Sequence, residues 1–499
     1  MAHAVQAALS LHPDWVVLEL DVANAFHSFN RTSMFDALRQ SPFSFLIPFF
    51  CIFYATPSPL HFRNGPILKS LQSASGLYTD WDNELLGHFT GLIGTEFWPP
   101  EFDHLSSAHL QPFFPTRLGG FGLRSSAGFA GLSFLCSWAQ TVPLLASHCF
   151  IDGSPIFRPF ITTDSIDRLE PCIVSSMARL PSDILNLFPS WPALLPRYPH
   201  KHYSYLSQLH EAAMLKRVRS TVTSPLHLAR LTSLQGPHAE DWLAVAPSSQ
   251  HLHLYPTEWK IATALRLGLP IPHLTTSHTC VCGFSYADLS IASQVLRCPT
   301  GNEPNRVHDA VKHEIHRIVK ELGLPSQLED SHLLAGHCPD ISFRDTNSGV
   351  TWALDVRVAD PRHGFPHSNA ATTIGSAVGA RELEKTSLYA ALVHERHDVK
   401  FFPLAIENFG CFGKTFVQFL QDCSRRGAAR IRDLSGMTYL VPQLLETNFF
   451  KRVSFVLQRE QARTVCRRSQ IRLSVAPDLL APEATLPAVV DFAYLGPDG

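Results

Sequence analysis

Hydrophobic and polar positions alternate with a period of two in two runs, Cys338-Pro-Asp340-Ile-Ser-Phe343 and Val350-Thr-Trp-Ala-Leu-Asp355-Val-Arg-Val358. Such alternation predicts strands, and Thr346-Asn-Ser-Gly349 between them is turn chemistry, so an antiparallel hairpin is expected. In the register this turn favours, Phe343 faces Trp352, Ile341 faces Leu354 and Asp340 faces Asp355. Ile341, Phe343, Trp352 and Leu354 then share one apolar face, while Asp340, Ser342, Ala353, Asp355 and Arg357 share the other.

The flanking pattern is helical. Over residues 306–322 the apolar positions Val307, Val311, Ile315, Ile318 and Leu322 form a stripe, with Glu314 at its edge. A second helix carries Lys385 on a face with Leu388, Tyr389 and Leu392, and residues 400–406 read as a further strand. Elsewhere, residues 15–22 read as a strand, 30–39 are helix-compatible, and 259–267 form a helix stopped by Gly268. The longest apolar stretch, residues 43–54, is interrupted by Pro48 and falls short of the roughly 20 residues that a membrane-spanning helix needs.

Composition narrows the picture. A chain of 499 residues has room for two to four domains, and 45% hydrophobic residues with 34 Phe exclude wholesale disorder. Net charge is −2, so any attraction to nucleic acid or anionic lipid has to be local. Eleven Cys without a basic, apolar leader fit reduced thiols in the nucleus or cytoplasm and no membrane partner.

Two acids directly opposite each other on a hairpin bring their Cβ atoms to about 4.5–5.5 Å, which destabilises the sheet unless a cation intervenes. A divalent metal with oxygen ligands is the natural occupant. The competing explanation is an exposed hairpin whose polar face happens to carry Asp340 and Asp355. Arg425, Arg426, Arg452, Arg463 and Arg467 belong to a basic C-terminal stretch that reads either as a solvated helix face or as a nucleic-acid backbone contact.

Two motifs resemble parts of non-LTR retrotransposon proteins. Leu18-Glu-Leu-Asp21-Val-Ala-Asn-Ala-Phe26 resembles the first palm motif of their reverse transcriptases. The resemblance implies that Asp21 is a Mg²⁺ ligand and that Phe26 screens the sugar 2′ position. It extends over Leu118-Gly-Gly-Phe-Gly-Leu123, Ala239-Glu-Asp-Trp-Leu243 and Ala264-Leu-Arg-Leu-Gly-Leu269. The family's Tyr-X-Asp-Asp turn and its Gln-Gly-Asp-Pro motif are absent, so two-metal phosphoryl transfer lacks its second carboxylate set and polymerase activity is expected to be lost. Cys280-Val-Cys282 and Cys298 resemble the zinc knuckle of the same elements; Gln294 stands in the usual His slot, so either His278 or His308 supplies the fourth Zn²⁺ ligand or the site has decayed.

The second motif comprises Val307-His308-Asp309, Pro339-Asp340, Asp355, Lys385 and Tyr389. It resembles the restriction-endonuclease-like domain of these elements, a PD-(D/E)XK nuclease. The resemblance implies that Asp340 and Asp355 bind Mg²⁺ or Mn²⁺ and that Lys385 is catalytic or positions the phosphate. Glu314 is a further candidate catalytic acid. Arg357 occupies the usual lysine slot; it cannot act as a base but can hold a phosphate bidentately, so Lys385 supplies the rest.

The expected fold is mixed α/β and multidomain. It comprises a palm remnant (1–76), a thumb-like segment (77–195), a helical linker (196–275), a degenerate zinc knuckle (276–300), a PD-(D/E)XK-like α/β/α domain (301–440) and a partly disordered basic tail (441–499). The expected activity is a metal-dependent cut in DNA, with element RNA as a further partner. The alternative is a catalytically inactive fragment that at most binds nucleic acid.

Overall fold

In the computed structural model, residues 66–98, 107–129, 202–272 and 295–469 are described, less short gaps at 248, 335–336, 346–347, 363–368 and 436–440. Residues 150–151, 154–155 and 282 are also described. The chain divides into two units, Met1–Ser75 and Gly76–Gly499. The predicted strand at 15–22, with Asp21 and Phe26, lies outside the described residues.

The elements before the sheet are α1 (Pro66–Ile93), α2 (Ser107–Leu110), a two-stranded ribbon of β1 (Phe150–Ile151) and β2 (Ser154–Pro155), α3 (His202–Thr221), α4 (Pro225–Ser233) and α5 (Pro256–Leu267). Helix α5 starts three residues earlier than the apolar pattern predicts, because Pro256 is pre-shaped for a first turn and Glu258 accepts the Tyr255 amide at 2.9 Å. It ends at Gly268, whose φ of 71° suits glycine.

The C-terminal half runs α6 (Glu303–Glu321), β3 (Ser326–Leu328), β4 (Ile341–Arg344), β5 (Thr351–Ala359), α7 (Ser376–Glu395), β6 (Val399–Glu407), α8 (Lys414–Ser435) and α9 (Val441–Ser469). The four strands lie in the order β3-β4-β5-β6. β3, β4 and β5 are antiparallel neighbours, while β6 is parallel to β5 and reached through α7. Being an edge strand, β6 tolerates Pro403, which has no N–H to donate.

The hairpin register is the expected one, with Ile341 opposite Leu354 and Phe343 opposite Trp352. These side chains, with Phe402 and Leu404 of β6, pack against Val311 and Ile315 of α6, Phe416 of α8 and Phe450 of α9. The opposite parity, Ala353 and Val399, packs under Tyr389 of α7. The sheet is therefore the middle of three layers, and period-two alternation turns Asp355 and Arg357 toward α7.

Two expectations about domain organisation need correction. Residues 202–272 are not a linker, since Trp242, Ile261 and Leu265 share a buried core with Phe89 and Ile93 of α1 and with Phe455 and Val465 of α9. Within the expected basic tail (441–499), residues 441–469 form helix α9, and residues 470–499 lie outside the described residues. Helix α9 sends Phe450, Val453 and Leu457 to the sheet core and Phe455, Val465 and Cys466 to the second core. It is buried on several sides, and three of its arginines, Arg452, Arg463 and Arg467, pair with Glu314, Glu258 and Glu303. Among the described residues no helix is long and apolar enough to cross a membrane.

Candidate active site

Asp340 immediately precedes β4, and the ladder that pairs Ile341 with Leu354 sets it beside Asp355 in β5. The Asp340 carbonyl accepts the Glu329 amide at 3.0 Å, which fixes the start of β4. Its carboxylate Oδ2 accepts the Val356 amide at 2.7 Å and lies 3.1 Å from His308 Nε2. Both bonds fall on Oδ2, so Oδ1 keeps its acceptor capacity.

His308 sits in the first turns of α6, where its Nδ1 lies 3.2 Å from Asp309 Oδ1. Burial pulls the His308 pKa down, but the bond to Asp340, that carboxylate's charge and the bond to Asp309 outweigh it, so the net shift is upward. Asp309 continues to Lys312 at 2.9 Å, and Lys312 to Glu329 at 2.6 Å. A chain of alternating charge thereby braces Asp340 from α6.

Asp355 is buried and is braced from the other side of the sheet. Lys385 Nζ lies 2.9 Å from its Oδ1 and 3.0 Å from its Oδ2, and the Tyr389 hydroxyl donates to Oδ2 at 2.8 Å. Lys385 and Tyr389 are four residues apart on α7 and so project from one face. Burial, then the charge of Asp355, pushes the Tyr389 pKa up, so Tyr389 stays a hydroxyl donor at neutral pH.

The two carboxylates open into one cavity of about 620 Å³. Arg297, Arg357, Arg381 and Lys385 bring positive charge to its walls, against Asp340, Asp355 and Asp360. Arg357 is exposed on the cavity wall. Leu388, expected on the inward face with Lys385, is instead half exposed on the cavity wall.

Other candidates are placed elsewhere. Glu314 is buried in ion pairs with Arg317 and with Arg452 Nε at 2.6 Å, and it does not line the cavity. Its position at the edge of the α6 stripe is explained by this pairing under α9 rather than by catalysis. Arg452 also holds Glu321, Arg463 holds Glu258, Arg467 holds Glu303 and Arg426 holds Asp345, so these arginines are engaged inside the protein.

The zinc expectation fares differently at each ligand. Cys280 and His278 lie outside the described residues, Cys282 is exposed, and Cys298 is buried with Arg468 Nη2 at 3.5 Å from its sulfur. His308 is committed to Asp340 and Asp309. Among the described residues no group of three or more His, Cys, Asp or Glu side chains is arranged to hold a metal ion.

Sequence reasoning did not foresee the His308–Asp340 bond, the Tyr389–Asp355 bond or the contribution of Arg297 and Arg381 to the cavity. The quoted Val307-His308-Asp309 string contained the first of these residues, but spacing alone does not say which carboxylate a histidine meets.

No protein-family model matches the chain, and no curated protein matches it. The chemistry of the site therefore has to speak through its donor set. Two carboxylates with oxygen acceptors suit a hard divalent cation; Mg²⁺ is usually held by one or two carboxylates, with water and substrate phosphate completing its shell. Asp340 offers Oδ1 to such a cation, whereas both oxygens of Asp355 are met by Lys385 and one of them also by Tyr389.

Proposed function

We propose that this chain carries a metal-dependent endonuclease that hydrolyses phosphodiester bonds in DNA, within a retroelement-derived protein whose polymerase has been lost. The observation that carries this reading is the convergence of Asp340, Asp355 and Lys385 on one 620 Å³ cavity. The element order is compatible with it: the resemblance to PD-(D/E)XK nucleases implies a helix, an acidic hairpin, a helix bearing Lys385 and a further strand, and α6, β4–β5, α7 and β6 follow in that order.

Asp340 Oδ1 and the Asp355 carboxylate would hold Mg²⁺ or Mn²⁺. When bound, such a cation lowers the pKa of a coordinated water and neutralises charge on the phosphate. His308 and the Val356 amide orient Asp340, and Tyr389 orients Asp355. Lys385 keeps its ammonium beside Asp355, where it stabilises negative charge that develops on the phosphate. Arg357, always protonated, grips a phosphate on the cavity wall and does not move protons.

Supercoiled plasmid incubated with the full chain and Mg²⁺ tests the reading. Nicked circles that vanish with EDTA are expected, and no conversion with either Mg²⁺ or Mn²⁺ would sink it. A second reading, a chain that binds nucleic acid without cutting it, is favoured by the closure of Lys385 on both oxygens of Asp355. It gives DNA retention without product in the same assay.

A further inference from the structure

Arg230 of α4 is 2% exposed. Its Nη1 donates to Gln111 Oε1 at 3.0 Å and to the Arg266 carbonyl, whereas Nε and Nη2 are buried with no partner among the described residues. Burial, then the charges of Arg362 and Arg266, brings its pKa down to about 9, so the guanidinium is charged at neutral pH. A buried cation with idle donors is strongly unfavourable unless an acceptor, best an anion, meets it.

A small pocket of about 30 Å³ has Arg230 in its wall together with His227, Gly268 and Arg362, and no carboxylate among the described lining residues. Gly268 keeps it open, since a Cβ there would come within 2.7 Å of both Arg230 Nε and His227 Cε1. Arg362 meets Asp360 with Nε at 3.0 Å and Nη2 at 3.2 Å, but Asp360 lines the larger cavity and not this pocket. Arg266, also buried, spends its donors on the Thr116, Gly120 and Ala239 carbonyls, which leave its charge uncancelled apart from the influence of Glu240. Burial, then Arg230 and Arg362, depresses the His227 pKa to about 3, so the ring adds a neutral donor or acceptor.

The geometry points to an anion site in this pocket, taking an oxyanion of the phosphate class beside the Arg230 guanidinium with Arg362 in the wall. The volume exceeds the roughly 10–15 Å³ that one water requires and suits a small anion rather than a base or sugar. Free phosphate and a backbone phosphate of nucleic acid share this chemistry. The pocket sits where α4 and α5 meet the turn after β5, where Arg219 Nη2 and Thr232 Oγ1 also hold the Ala371 carbonyl at 2.7 and 2.8 Å. An occupant would fasten the strand that carries Asp355 to the helical layer, whether or not the larger cavity cuts DNA.

The test titrates the full chain with sodium phosphate at constant ionic strength, set with sodium chloride, and reads the melting temperature and ³¹P line width. The wild type is expected to gain several degrees and to broaden the phosphate line. His227→Glu, which puts a carboxylate beside Arg230, is expected to abolish both effects. Arg362→Gln, in the pocket wall, serves if that variant does not fold and is expected to weaken phosphate about tenfold. Competition with an oligonucleotide lacking terminal phosphates identifies the source: displacement of phosphate supports a backbone phosphate, and retention supports the free anion. The proposal is overturned if the wild type shows no phosphate-specific shift, the pocket then holding water only. It is equally overturned if His227→Glu or Arg362→Gln binds phosphate as the wild type does.

Discussion

Lys385 Nζ lies 2.9 Å from Asp355 Oδ1, joining the crossover helix α7 to the strand that leads into it. The contact follows from strand parity: Asp355 shares the side of β5 on which Ala353 packs beneath α7, so a long cation one turn before Tyr389 meets it. Truncation by Lys385→Ala leaves a buried carboxylate held by Tyr389 alone. Stability is expected to fall by about 1–3 kcal/mol in urea denaturation. Cleavage at saturating Mg²⁺ is expected to fall by about 10²–10³-fold, well beyond the effect on folding.

Glu314 offers the opposite test. It is 1% exposed and its partners are Arg452 and Arg317, not the cavity. Glu314→Gln breaks a buried pair and is expected to cost about 3–5 kcal/mol of stability. The rate per folded molecule should stay at the wild-type value, and a rate loss without a stability loss would return Glu314 to the catalytic set.

Glu407 closes β6 with its carboxylate buried and the Val378 amide 3.4 Å from Oε1. Burial, opposed by a hydrogen bond from the Ser233 hydroxyl and by the Val378 and Ala377 amides and helped by the charge of Asp360, lifts its pKa from the ordinary 4.5 to about 7. The native state then holds a proton that the unfolded chain releases, so stability falls as pH rises from about 4.5 through about 7. Glu407→Gln should remove that fall and be more stable than the wild type at pH 8, by up to about 3 kcal/mol. Denaturation curves at pH 5 and pH 8 measure it, and an unchanged pH slope in the variant contradicts it.

Helix α9 supplies both cores, so Phe450→Ala is expected to cost about 3–5 kcal/mol. A chain ended at residue 440 should lose cooperative unfolding in calorimetry.

The acidic hairpin was legible because its pattern was redundant: alternation, turn chemistry and the pairing of large apolar residues all require one register. Strand β3 was not, since Ser326, Gln327 and Leu328 are too few and too polar to show a period. Lys385 could be placed on a helix face, but its partner could not, because a helix face says nothing about which strand it covers. His308 was read as a zinc ligand candidate and meets Asp340 instead; the sequence contains the imidazole but not the approach of α6 to the start of β4. The C-terminal arginines were read as free charge because their acids, Glu258, Glu303 and Glu314, lie more than a hundred residues away. Long-range pairing of that kind leaves no local signature.

The most direct measurement is nicking of supercoiled plasmid in Mg²⁺ by the wild type, Asp340→Asn and Asp355→Asn, each shown to be folded by calorimetry. The expected result is metal-dependent nicking by the wild type and a loss of at least about a hundredfold in both variants. Nicking that persists in Asp355→Asn at the wild-type rate would contradict the assignment of this cavity as the catalytic site.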